Sequence, residues 1–164
     1  MIWLALIIIV VLICFTGVLL VGAPYLPTLT PQVKTALELA NLKEGQTLLE
    51  LGCGDGKVLI AAAEQGINVI GIELNPLMAL ISWLRTRKYR NARIIWGNFW
   101  SRSLYDADAI FVFLLPKYME KLNTKIVQST GKPVKLVSFA FQIPSKKPAK
   151  IKDDIYLYKY LPKK

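Results

Sequence analysis

Three glycines and two glutamates are the residues of this chain whose types and spacing could do chemistry. The glycines lie between an apolar run at 47–51 and a helical pattern at about 57–65, within the segment Leu49-Glu50-Leu51-Gly52-Cys53-Gly54-Asp55-Gly56. Glycine has no Cβ, so a ligand can approach the backbone closely, and the following helix directs free N–H groups towards it. A glycine-rich turn alone is a weak signal, because a tight turn without a ligand has the same composition.

Two acidic residues make the signal more specific. Glu73 ends the second apolar run, where its carboxylate is expected beside the glycine turn and could hold a ribose diol. Glu50 precedes the glycines, where it would repel the pyrophosphate of a dinucleotide but could receive a cationic amino-acid group. S-adenosylmethionine carries an ammonium group and a ribose but no phosphate. The pair therefore favours this cofactor over a nicotinamide dinucleotide.

The elements that must position these residues alternate along the chain. Strands are predicted at residues 47–51, 68–74, 93–97, 108–115, 135–141 and 155–161. Helices are predicted at about 31–41, 57–65, 76–89 and 117–128. This repetition of strand and helix predicts an α/β fold with a mainly parallel sheet and helices on both faces.

The N-terminal segment differs from the rest of the chain. Residues 1–23 contain no charged side chain, and residues 2–21 are long enough to cross a bilayer core as one helix. A cleaved signal peptide would have a basic start and a shorter apolar stretch, and a buried core helix would be less uniformly apolar. We therefore expect a transmembrane anchor at 1–23, a connector at 24–30 and a folded domain at 31–164.

The charge distribution bears on location and partners. The net charge is +10, and no Lys or Arg precedes the apolar segment, whereas Lys34 and Lys43 follow it. The positive-inside rule then predicts a single-pass membrane protein with its domain on the cytoplasmic side. The basic residues are scattered, which favours anionic lipid head groups over nucleic acid as a partner. With no histidine, and with Cys14 and Cys53 in different segments, we expect neither a metal site nor a disulfide.

These motifs resemble the cofactor motifs of class I S-adenosylmethionine-dependent methyltransferases, which have a Rossmann-like fold. Residues 22–28, 71–77 and 111–116 are similar to signatures of a narrower group, the membrane-anchored lysine methyltransferases of the adenine nucleotide translocase and the ATP synthase c-subunit, with their prokaryotic relatives. The resemblance covers most of residues 22–142. It implies methylation of a lysine in a membrane protein.

The resemblance also implies roles for individual residues. Expected contacts to the methionine end, the ribose, the adenine and the transferred methyl are, in chain order, Glu50, Gly52, Cys53, Gly54, Glu73, Leu74, Asn98, Phe99 and Leu114, with Leu115 and Pro116 beside the last. No catalytic base is assigned, although Tyr25, Asp55 and Tyr118 are candidates. A lipid or quinone-like substrate and a non-catalytic, membrane-tethered domain remain as alternatives.

Overall fold

The structure, a computed structural model, describes residues 2–3, 30–104, 106–129 and 131–162. The predicted anchor and the connector therefore lie almost wholly outside the described residues. Within the described ranges, no helix combines the length and the apolar character needed to cross a membrane.

The helices and strands follow one another in the predicted alternation. They are α1 (Thr30–Ala40), β1 (Thr47–Leu51), α2 (Lys57–Ala63), β2 (Asn68–Glu73), α3 (Pro76–Thr86), β3 (Ala92–Trp96), a short 3₁₀ helix (Phe99–Ser101), β4 (Ala109–Val112), α4 (Pro116–Ser129), β5 (Val134–Phe139), β6 (Lys150–Lys152) and β7 (Ile155–Tyr160).

The strands of the described part form one seven-stranded sheet in the order β3-β2-β1-β4-β5-β7-β6. The first five strands pair in parallel, whereas β7 runs antiparallel to both β5 and β6. The predicted α/β fold with a mainly parallel sheet is confirmed. From β1 the chain adds β2 and then β3 on one side of the sheet, and it then crosses to place β4 on the other side of β1. The carboxyl ends of β1 and β4 therefore form a topological switch point, where such sheets bind ligands.

Two hydrophobic layers cover the sheet. On one face, α1 and α2 pack through residues such as Val33, Ala36 and Leu59. On the other face, α4 packs through residues such as Leu122 and Ile126. β1 and β4 are buried on both sides, which explains why both read as continuous apolar runs rather than as alternating ones.

Several boundaries differ from the prediction. β4 ends at Val112 rather than at 115, at the point where its neighbour β1 also ends, since Val112 is the register partner of Leu51. β5 ends at Phe139 rather than at 141, because Ala140 turns the chain with a φ of +65°. β6 was not predicted. A turn with Asp153 and Asp154 at φ of +50° and +58° pairs it with β7, and Asp is among the few residues that tolerate this conformation.

Candidate functional site

The glycine loop, residues 52–56, joins β1 to α2 at the switch point. Gly52, Gly54 and Gly56 have φ of +80°, +53° and +77°, which glycine adopts without steric cost. The N–H groups of Gly52 and Cys53 donate to the carbonyl of Ile72 at 2.8 and 3.2 Å. These bonds hold the loop against the end of β2.

The glycines of this loop have different environments. A Cβ on Gly56 would lie 2.5 Å from Oγ of Ser82, so this glycine allows α2 to pack closely against α3. A Cβ on Gly52 would have no atom within 4 Å. Gly56 therefore serves the packing of the helices, whereas Gly52 borders open space at the edge of the sheet.

Glu50 is the most unusual polar group of the site. Its side chain is only 5% exposed, and its Oε2 has no hydrogen-bond partner among the described residues. Burial raises the pKa of this carboxyl well above its ordinary value, and the nearby carboxylates of Asp55 and Glu73 raise it further. A buried acceptor without a partner costs free energy, and a cationic group placed here would remove that cost.

Glu73 lies beside the glycine loop, as predicted. Its Oε2 accepts a hydrogen bond from Gly54 N and its Oε1 accepts one from Asn75 N, each at 2.8 Å. A carboxylate has about four acceptor positions, so these two bonds leave acceptor capacity for a ligand. Leu74, the next predicted contact, is half-buried, and its carbonyl accepts a hydrogen bond from Trp96 Nε1 at 3.1 Å.

Cys53 has its side chain in the core. The residue is 4% exposed, and its Sγ lies 3.7 Å from Oγ of Ser82, between α2 and α3. Burial raises the pKa of the thiol well above its usual range, and Glu50 and Glu73 raise it further. The side chain is therefore an inert packing group, and only the backbone of Cys53 belongs to the loop surface.

The two predicted adenine contacts adjoin the Glu73 end of the site. Gly97 N donates to the carbonyl of Glu73 at 2.8 Å, which brings the end of β3 beside the end of β2. Asn98 Oδ1 accepts from Trp100 N at 2.9 Å and so caps the 3₁₀ helix. Half-buried Phe99 lies against Trp100 with ring centroids 4.6 Å apart.

At the end of β4, Leu114 is 6% exposed and belongs to the core beneath α4. The half-buried Phe113 precedes it. Its ring centroid lies 4.6 Å from that of Phe139 and 6.2 Å from that of Phe141. β4 lies between β1 and β5 and pairs with both up to Val112. Phe113, the next residue, therefore lies at the carboxyl edge of the sheet, between the glycine loop that follows β1 and the end of β5.

The aromatic cluster of Phe113, Phe139 and Phe141 was missed by the sequence analysis. Its signal is the occurrence of phenylalanine at 111 and 113 and again at 139 and 141, towards the carboxyl ends of two predicted strands. Strand alternation alone could not have predicted the cluster, because Phe113 and Phe141 lie beyond the last residues of β4 and β5.

Residues 50–150 match the family described as the ANTKMT methyltransferase domain. The chain belongs to this family. A protein-lysine N-methyltransferase of Saccharolobus islandicus (strain REY15A) is 31% identical over 134 residues, covering 78% of this chain and 83% of the relative. The lysine N-methyltransferase of the ATP synthase c-subunit from Xenopus laevis is 28% identical over 125 residues, covering 74% of this chain and 55% of the relative.

The chain thus spans about half the length of the vertebrate relatives that it matches. A solved RNA methyltransferase from Salinibacter ruber, in complex with S-adenosyl-L-homocysteine, superimposes with a TM-score of 0.77 at 25% identity, covering 85% of this chain and 95% of that one. The predicted Rossmann-like methyltransferase fold is confirmed. So is the predicted membership of the methyltransferases that use S-adenosylmethionine.

The site of this ANTKMT-type domain fits that cofactor. A ligand with an ammonium group, a ribose and no phosphate needs a buried anion, an acceptor for hydroxyl groups and open backbone. Glu50 offers a buried Oε2 that no described residue bonds, Glu73 offers further acceptor capacity, and Gly52 borders open space. Among the described residues, no group of three or more His, Cys, Asp or Glu side chains is arranged to hold a metal ion.

The candidate bases of the ANTKMT-type domain are otherwise engaged or not described. The carboxylate of Asp55 forms an ion pair with the guanidinium of Arg85, and its Oδ1 accepts from Lys57 N at 3.3 Å. Tyr118 is half-buried, and the ammonium of Lys117 lies 4.8 Å from its ring centroid. Tyr25 lies outside the described residues. No described side chain is thus singled out as a base.

Proposed function

We propose that this chain is a membrane-anchored protein-lysine N-methyltransferase that uses S-adenosylmethionine and acts on a membrane protein. The observation that carries the proposal is the buried carboxylate of Glu50 beside an open glycine loop, because its Oε2 has no partner in the part of the chain that the structure describes. The names of the relatives support the lysine substrate. They include lysine methyltransferases of the ATP synthase c-subunit and, at 29% identity over 132 residues, of the adenine nucleotide translocase of Mus musculus.

In this proposal, Glu50 receives the ammonium group of the cofactor and Glu73 accepts from its ribose hydroxyls. The backbone of Gly52 and Gly54 lines the methionine end, and Asn98 and Phe99 flank the adenine. When bound, the cofactor supplies a methyl group on a sulfonium, which is a good leaving group. The protein then has to align the substrate amine with that methyl group and exclude water.

A lysine must be neutral to act as a nucleophile, and an apolar environment lowers the pKa of an ammonium group. The half-buried rings of Phe113, Phe139 and Phe141 lie at the carboxyl edge beside the glycine loop and can supply such surroundings. A substrate lysine whose pKa is lowered by this surface would lose its proton to water without a general base, which agrees with the finding that no described side chain is singled out as one.

The membrane part of the proposal rests on the uncharged run at residues 2–21. An anchor there would raise the effective concentration of a substrate in the same bilayer. The excess of basic residues after this segment supports a cytoplasmic location for the domain.

The test is transfer of labelled methyl groups by the full-length protein to membranes from cells in which its gene has been deleted. Protein, lipid and RNA are separated afterwards, and the protein is hydrolysed for amino-acid analysis. We expect the label in methylated lysine of integral membrane proteins. Label in the lipid extract would support a lipid or quinone-like substrate, and label in RNA would support an activity like that named for the Salinibacter ruber protein.

A matched pair of variants controls for folding. Gly45 and Gly52 both have a φ of +80° and open space where a Cβ would lie, but only Gly52 is in the glycine loop. We expect Gly52→Ala to lose transfer and Gly45→Ala to retain it. Binding of S-adenosylmethionine without transfer to any fraction would contradict the proposal and favour a non-catalytic domain.

A further inference from the structure

The outer face of α3 is apolar and exposed. The helix turns Met78 and Ala79 towards the sheet. On its other side, Leu80, Trp83 and Leu84 are 50%, 50% and 45% exposed. Such an arrangement differs from the polar outer face that a surface helix normally has.

The edge strand β3 extends this surface. Trp96 is 65% exposed, and its Nε1 donates to the carbonyl of Leu74, two residues before α3 begins at Pro76. We call Leu80, Trp83, Leu84 and Trp96 the apolar patch. Single exposed apolar residues are normal on soluble proteins, but two tryptophans and two leucines on adjoining elements form a group that marks an interaction surface.

The apolar patch continues into a basic end. Arg87 keeps helical backbone angles and lies four residues after Trp83, so it extends the exposed stripe of α3. Arg87, Lys88 and Arg90 are all exposed. Residues 76–93 contain five basic side chains and no Asp or Glu. This surface is thus apolar at one end and strongly cationic at the other.

We propose that the apolar patch and this basic end form a docking surface for an anionic lipid bilayer. Tryptophan is enriched at the level of the lipid head groups, because its ring is apolar and its N–H is polar. Arginine and lysine bury their aliphatic stems in the interface while their charges reach anionic phosphates. An interfacial helix has this combination of Trp and Leu with flanking basic residues.

Charge argues against two other occupants. A second copy docked face to face would bring the exposed Arg87, Lys88 and Arg90 against their own counterparts. The neighbouring carboxylates of Asp55 and Glu64 are already bonded to Arg85 and Tyr89 of the same chain. The N-terminal segment of the chain would leave the basic end uncompensated, because residues 1–23 carry no acidic side chain. An anionic bilayer satisfies both the apolar and the cationic part of the surface.

Docking at this face would also orient the candidate site. The guanidinium of Arg85 binds Asp55 in the glycine loop, and Gly56 packs within contact distance of Ser82 on α3. α3 and the glycine loop are therefore joined by an ion pair and by close packing. A lipid contact on α3 would hold the open edge of the sheet in one orientation relative to the bilayer. The inference does not depend on methyl transfer.

The test is spin labelling of the full-length protein in vesicles, with Cys14→Ser as background because Cys53 is buried. One label is placed at Trp83→Cys and a second, independent one at Leu84→Cys. The matched control is Val127→Cys, a 37% exposed apolar position on α4, across the sheet. The collision rates of each label with apolar oxygen and with a water-soluble nickel complex are compared. Thermal unfolding verifies that each variant is folded.

In vesicles of phosphatidylcholine and phosphatidylglycerol, we expect the labels at 83 and 84 to collide mainly with oxygen and the label at 127 mainly with nickel. Phosphatidylcholine alone should weaken this contrast. Arg87→Gln combined with Lys88→Gln should lower the ratio of docked to undocked protein by about 25-fold, at about fivefold per basic residue near an anionic surface. Sedimentation with phosphatidylcholine vesicles tests the anchor separately, so loss of docking is distinguishable from failure of the proposed anchor.

Three results would overturn the proposal. One is equal nickel accessibility at 83, 84 and 127 in the anionic vesicles. Another is a dipolar coupling between labels at 83 on different molecules, which would identify a second copy as the occupant. A third is shielding of positions 83 and 84 from both reagents in every vesicle, which would mean that another segment of this chain covers the face.

Discussion

Replacing Glu50 with glutamine should change cofactor affinity and protein stability in opposite directions. The carboxyl is buried, its Oε2 has no partner among the described residues, and burial raises its pKa. The unfolded chain ionises this group near its ordinary pKa of about 4.3, whereas the folded protein resists ionisation. Stability that is fully present below that pH is therefore lost as the pH rises towards the folded-state pKa.

Glutamine keeps the shape of the side chain and removes this penalty. At pH 7.5, we expect ligand-free Glu50→Gln to be more stable than the wild type, because the unfolded wild-type chain ionises this carboxyl freely whereas the folded chain does not. The difference should shrink as the pH approaches about 4.3. The same change removes a charge-assisted hydrogen bond worth about 1.5–3 kcal/mol, which weakens S-adenosylmethionine binding roughly 10- to 150-fold.

Chemical denaturation across pH and titration calorimetry on the full-length protein measure the two effects. Glu44→Gln is the control, because Glu44 is exposed and lies outside the site, so neither quantity should change. Lower stability of ligand-free Glu50→Gln at pH 7.5 would mean that the carboxylate holds the fold together. Wild-type affinity in Glu50→Gln would mean that Glu50 does not receive the ammonium group. Either result would refute the reasoning.

Three further predictions concern the same edge of the sheet. Gly52→Ala and Gly45→Ala should each lower the free energy of unfolding by about 1–2 kcal/mol through backbone strain, since both residues have a φ of +80°. Calorimetry should show loss of cofactor binding only for Gly52→Ala. Glu73→Gln should lower the free energy of unfolding by about 1–3 kcal/mol, because the NH₂ group of glutamine cannot accept a hydrogen bond and so either Gly54 N or Asn75 N loses its acceptor. The same substitution should abolish cofactor binding. Gly71→Ala should cost about 1–3 kcal/mol in denaturation experiments, because its Cβ would lie 2.4 Å from a side-chain carbon of Leu59, and unchanged stability would contradict the packing described.

The order of the elements could be predicted from the sequence, because each buried strand and each amphipathic helix has its own periodicity. The antiparallel orientation of β7 and its place beside β5 could not, since strand pairing depends on contacts between residues far apart in the chain. The short strand β6 was missed because its three residues, Lys150–Lys152, are all exposed and have no apolar pattern.

The proximity of Glu73 to the glycine loop could be predicted from strand ends, but the difference between the two glutamates could not. Glu73 is satisfied by the N–H groups of Gly54 and Asn75, whose positions depend on the three-dimensional course of two loops. The side-chain direction at the end of β4 was equally hidden. Leu114 enters the core and Phe113 remains half-buried at the carboxyl edge, and a shift of one residue exchanges two such positions.

The contrast between Glu50 and Glu73 bears on how the site holds its shape before a ligand arrives. Both carboxylates are buried at the ends of adjacent strands, but they have different partners. Glu73 accepts from Gly54 N in the glycine loop, whereas Glu50 forms a backbone hydrogen bond with Leu59 at the start of α2. The Oε2 of Glu50 has no partner among the described residues. The one contact with Leu59 leaves part of the burial penalty of the carboxyl uncompensated, and a cationic ligand would compensate it. Part of the affinity for such a ligand should then come from removing a penalty that the free protein already carries, and the ligand should raise the stability of the wild type more than that of Glu50→Gln.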